Sequence, residues 1–163
     1  SEPMLDVARS RLGRFGERAA VRVVRGRELP LEGASYAAAF GVDVLHHVDD
    51  PADLLRSVRG SLQPGGMAVF LEGNPRFPIA TLMALTQREE RGLLKIGFGN
   101  LRDWFESAGL EDVQVDYGPL YTPPGPPRLE PLLDRVDRAA GGTPVLRGLA
   151  IFLTAQARAP EVT

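Results

Sequence analysis

The sequence predicts an α/β protein whose mostly parallel sheet carries an antiparallel strand at its edge, and three observations predict it. Two apolar runs, over 36–44 and 67–71, flank a segment with helical apolar spacing, and parallel strands require such a crossover, right-handed, between them. Neither run alternates with polar residues, which is how strands covered on both faces read. A last strand pattern, over 149–157 (LAIFLTAQA), follows a long connection and suits an antiparallel addition to the sheet edge.

In order, the chain opens on a helix start. Ser1 takes the N-cap position with Pro3 just inside, then Leu5, Ala8 and Leu12 share a face, and Gly13 stops the run. Residues 20–25 (AVRVVR) read as a short strand rich in Val, and Pro30 keeps the next loop extended. Residues 36–44 carry no charge before Asp43 and read as a central strand buried on both faces. Asp49 or Asp50 caps the following helix, because Pro51 occupies its first position. Over 51–62, Leu54, Leu55, Val58 and Leu62 form one face, with Asp53, Arg56 and Arg59 outside it.

Pro64-Gly65-Gly66 turns the chain into the second buried strand. A helical stretch over 79–91 follows, with Leu82, Met83 and Leu85 apolar, and Gly97 and Gly99 break it. Over 100–108, Leu101, Trp104, Phe105 and Ala108 recur at helical spacing with Gly109 at the C′ position, which makes Trp104 and Phe105 core residues. Residues 112–117 (DVQVDY) alternate like a strand with one solvated side. A helix over 129–140 with Leu132, Leu133 and Val136 as its stripe ends at Gly141-Gly142. The chain is expected to be a single domain over 1–163, with 119–147 a proline-rich insertion that either covers a bound small molecule or forms an ordinary edge loop.

Composition narrows the function. The 163 residues have 44% hydrophobic and 25% charged content, the balance of a globular domain. A net charge of -2 argues against nucleic acid or an anionic membrane as the main partner. No apolar run is long enough to span a bilayer and no signal pattern opens the chain, so a soluble, cytoplasmic protein is expected. The absence of cysteine removes disulfides, thiolate metal sites and a thiol nucleophile.

In open α/β sheets ligands bind at the carboxyl ends of strands, which directs attention to Leu45-His46-His47 and to Glu72-Gly73-Asn74. His46 and His47 are the only imidazoles; one of them could serve as general base, or the pair could support the elbow and meet solvent. No metal site is expected, since adjacent side chains point apart and no third His exists. Asp43 faces either a substrate or the surface. Glu72 and Asn74 are either polar groups of a cleft or parts of the Gly73-Asn74-Pro75 turn.

The stretch from Gly26 to Pro75, with Leu29-Pro30, a strand ending in Leu45-His46-His47, an Asp50-Pro51 helix and Pro64-Gly65-Gly66 in that order, resembles the class I S-adenosylmethionine-dependent methyltransferases of the small-molecule type. The resemblance implies a Rossmann-like fold and methyl transfer from S-adenosyl-L-methionine to a small-molecule acceptor. It places Met4, Glu28 and Leu29 around the adenine, Gly41, Val42 and Leu45 along the amino-acid part of the cofactor, and His47, with His46, as the base. The family's glycine-rich loop and the acidic residue that holds the ribose would lie upstream of Ser1, so the chain is expected to be the C-terminal two-thirds of the fold. On that expectation a preceding segment or a partner chain completes the site, and the truncated sheet edge binds a partner or self-associates. The alternative is a scaffold or interaction module of the same fold without activity.

Overall fold

The computed structural model describes residues 2–23, 33–118 and 128–161, which fall into two compact units, Ser1–Leu31 and Glu32–Thr163. In the first unit, α1 (Glu2–Leu12) is followed by a 3₁₀ segment, Gly13–Arg18. Leu5, Ala8 and Leu12 are the half-buried positions of α1, as their spacing predicts, and the exposed Arg9 bridges Glu2 at 3.3 Å and Asp6 at 2.8 Å. Residues 20–23 form no strand, contrary to expectation, and the rest of that stretch lies outside the described residues. β-branched composition alone does not make a strand; it needs a ladder to pair with.

Among the described residues, the second unit holds a four-stranded sheet in the order β1 (Tyr36–Val42), β2 (Leu62–Gly73), β4 (Phe152–Arg158), β3 (Glu111–Tyr117). β1 and β2 are parallel, with Ala38 opposite Met67 and Val42 opposite Leu71. β4 runs antiparallel to both of its neighbours. The α/β class and the antiparallel strand are as expected. The antiparallel strand sits one place in from the edge, however, and β3 is outermost.

The crossover helix α2 (Pro51–Ser61) starts where its cap predicts: Asp50 Oδ1 accepts from the N–H of Asp53 at 2.9 Å. Leu55 and Val58 are buried on its inner face. Gly65, at φ +70°, makes the bend inside β2 that releases the strand into register from Met67 onward. From there burial alternates, so that Ala68, Phe70 and Glu72 share the covered face.

The helical pattern over 79–91 resolves into α3 (Pro78–Thr86), an extended residue at Gln87, and a 3₁₀ segment, Arg88–Lys95. α4 (Phe98–Ser107) buries Leu101 and Phe105, and Phe105 meets Phe70 edge to face with centroids 5.8 Å apart. Trp104, expected in the core, is only half-buried. α5 (Glu130–Gly141) and the short α6 (Pro144–Arg147) precede β4. Residues 119–127 of the proline-rich segment lie outside the described residues.

The reading of 36–44 as a central strand covered on both faces is overturned. β1 is the outer strand of the sheet among the described residues, and Phe40 is 70% exposed. Among the described residues, no helix is long and apolar enough to cross a membrane.

Candidate active site

The parallel pair ends in two polar exits that are tied to each other. β1 ends at Val42, and Asp43 adopts a left-handed conformation, φ +50°, that Asp tolerates better than most residues. Its N–H donates to the carbonyl of Leu71 at 2.8 Å, and its Oδ1 accepts from the N–H of Gly73 at 3.1 Å. The chain then turns through a 3₁₀ segment, Leu45–His47.

That turn has no local cap. Glu72, reaching across from β2, supplies one: Oε1 accepts from the N–H groups of Val44 at 2.9 Å and Leu45 at 2.8 Å. Oε2 pairs with Nδ1 of His46 at 2.7 Å. Glu72 is fully buried, and these three partners are what make its burial tolerable. A carboxylate is an acceptor, so the shared proton sits on Nδ1 and the other ring nitrogen, Nε2, faces away.

Nε2 of His46 points to the 3₁₀ segment after α3, where Glu90 Oε2 lies 3.4 Å away. The segment comes this close because position 92 is glycine: a Cβ there would stand 1.7 Å from the carbonyl oxygen of His46. His47 is exposed, and its ring centroid is 3.9 Å from that of His46. The two adjacent imidazoles therefore do not point apart, which corrects the geometry assumed from their adjacency. Asp43 has its carboxyl pushed above the ordinary carboxylate range, first by desolvation and then by the nearby charge of Glu72.

Asn74 closes the floor. Its Nδ2 donates to the carbonyls of Gly148 at 3.0 Å and Ala150 at 2.7 Å, while Oδ1 accepts from the N–H of Arg76 at 3.0 Å. Both its groups are thus taken by backbone, the turn role of the two expected for it. Beyond it, a cavity of about 340 Å³ opens between the carboxyl ends of β2 and β3, lined among others by Pro75, Arg76, Phe98 and Tyr117. Arg76 Nη1 donates to the Tyr117 hydroxyl at 3.3 Å.

Of the residues expected at the cofactor, Glu28 and Leu29 lie outside the described residues. Met4, in the first unit, is 73% exposed. Gly41 lies under the ring of Phe70, where a Cβ would meet ring carbons at 2.4 Å. Val42 is 44% exposed, and Leu45 is fully buried with its N–H given to Glu72. Glu90 and Gly92 were not singled out by sequence. Nothing in their spacing signals the elbow, whereas Glu72 was reachable, since it stands two and four residues beyond the buried Phe70 and Ala68.

The parallel β-α-β core with a polar elbow at its carboxyl end belongs to a fold that this chain shares with methyltransferases of known structure. The sequence pattern of the methyltransferase domain family matches residues 1–70, so the resemblance read from the motifs is borne out. Two of the solved structures that share the fold hold S-adenosyl-L-methionine or S-adenosylhomocysteine.

No curated protein matches the chain in sequence. Solved structures that share the fold include phosphoethanolamine N-methyltransferase 2 of Haemonchus contortus in complex with S-adenosyl-L-methionine. It is 18% identical with a TM-score of 0.62, and the match covers 97% of this chain and 41% of that one. The CurJ carbon methyltransferase is 15% identical at a TM-score of 0.64, covering 99% and 40%. The [4+2]-cyclase SpnF is 19% identical at 0.55, covering 96% and 61%. The chain thus spans between about two fifths and three fifths of the length of these proteins.

Proposed function

We propose that this chain carries the acceptor side of a methyltransferase that moves a methyl group from S-adenosyl-L-methionine to a small-molecule hydroxyl or amine. The observation that supports this most is the elbow: a buried Glu72 holds His46 and caps the turn, and His47 stays exposed beside it at the carboxyl end of the parallel strands. Exposed Val42 and Asp43 at the end of β1 fit a ligand that is part apolar and part cationic. When bound, the cofactor supplies an electrophilic methyl group.

The work of this chain is then positional and acid–base. The cavity between β2 and β3 holds the acceptor, with Arg76 and Tyr117 as polar anchors on its wall. His47 takes the proton that the acceptor's O–H or N–H releases as its lone pair attacks the methyl carbon. Gly41, Val42 and Leu45 belong to the cofactor side of the proposal.

The test is calorimetric titration of the 163-residue chain, and of a chain extended upstream, with S-adenosylmethionine. It is followed by turnover assays with labelled cofactor against a panel of small hydroxyl and amine acceptors in the presence of a chelator. His47→Ala should lower turnover by roughly 10²–10⁴-fold and leave cofactor affinity nearly unchanged. Absence of binding by both chains would favour a scaffold without activity, and full turnover by the variant would remove His47 from the mechanism.

A further inference from the structure

We infer that His46, His47 and Glu90 form a binding site for a divalent cation of the zinc class. With Nδ1 of His46 committed to Glu72 at 2.7 Å, its Nε2 meets Glu90 Oε2 at 3.4 Å. A neutral ring there would set a lone pair against a carboxylate oxygen, which is repulsive unless a cation lies between them.

The spacing suits a metal. Donors on a tetrahedral ion with bonds of about 2.0–2.1 Å stand about 3.3 Å apart. The ligand atoms of His46, His47 and Glu90 all lie within 4.8 Å of one another and offer a two-imidazole, one-carboxylate set. This donor set suits zinc and its neighbours among the transition metals. Glu72 adds what metal-bound imidazoles usually have, a carboxylate on the far ring nitrogen that fixes tautomer and direction.

Burial grades outward across the three ligands. The His46 side chain is 2% exposed, that of Glu90 21%, and His47 faces solvent, so a fourth position opens to water. Gly92 lets the backbone of the Glu90 segment approach the elbow. The other trio at this point, Asp43, His46 and Glu72, is not a site, because both Glu72 oxygens and Nδ1 are already hydrogen-bonded to one another or to backbone.

The inference does not rest on methyl transfer. A metal on His47 would occupy the lone pair assigned above to the base, so a loaded chain would be silenced in that reaction. The experiment is a Co²⁺ titration of the chelator-treated 163-residue chain, without cofactor or acceptor, followed by visible d–d absorption and competition with Zn²⁺. One Co²⁺ per chain should bind with a dissociation constant of about 1 μM or tighter, giving the intense spectrum of a tetrahedral site. His47→Ala and Glu90→Gln change solvent-reachable side chains and should stay folded by circular dichroism, each weakening binding by about tenfold or more. No tetrahedral spectrum, or equal affinity in both variants, would overturn the site.

Discussion

Glu72 organises the residues around it more than any other side chain. Three donors, two from backbone and one from an imidazole, converge on a single buried carboxylate. Glu72→Ala leaves them buried without acceptors, and at about 1–3 kcal/mol for each orphaned group the loss of stability should reach about 3 kcal/mol or more in urea unfolding. A loss below about 1 kcal/mol would show that water or a rearranged turn replaces the carboxylate. Asp43 carries the opposite sign. Its pKa is raised in the folded chain, by desolvation and then by Glu72, above the unfolded value of about 3.9. The native state therefore holds that proton more tightly, and the stabilisation, complete below the unfolded pKa, is lost as pH rises through the folded one. Asp43→Asn keeps the oxygen that accepts from Gly73 and tolerates a positive φ, so its stability curve should lack this fall. A wild-type curve that rises across the same interval would reverse the assignment.

Between elements, the contact of the Arg88–Lys95 segment with the elbow decides the site's shape. A continuous helix over 79–91 was the natural reading, since Leu82, Met83 and Leu85 run on without a breaker. Instead the helix stops at Thr86 and the chain tightens into a 3₁₀ path that sets Gly92 backbone against His46 backbone. Gly92→Ala should cost about 1–3 kcal/mol by overpacking and should also weaken Co²⁺ binding, because Glu90 is displaced with the segment. Unfolding and metal titration on the same variant check both. By contrast α2 and α4 were legible in advance: an Asp-Pro start, a helical stripe and Gly109 at φ +77° are local signals, and local signals survive into the fold.

At the scale of the molecule, the outer side of β1 has no partner among the described residues, with Phe40 70% and Val42 44% exposed along it. Such an edge templates pairing. The 163-residue chain should therefore self-associate in sedimentation, and Phe40→Lys should shift it toward monomer. A clean monomer at high concentration would mean that the edge is covered in solution.

The α/β class, the crossover helix, the cap at Asp50 and the two histidines at a strand's end were all determined by sequence alone, because spacing, capping and apolar runs act over a few residues. The tertiary structure decided which strand is outermost, that Glu72 caps a turn 27 residues earlier in the chain, and that Glu90 arrives opposite His46. These depend on which segments meet across the sheet. That is set by packing of the whole chain, as when a missing Cβ at Gly92 admits one backbone to another, and no local pattern carries it.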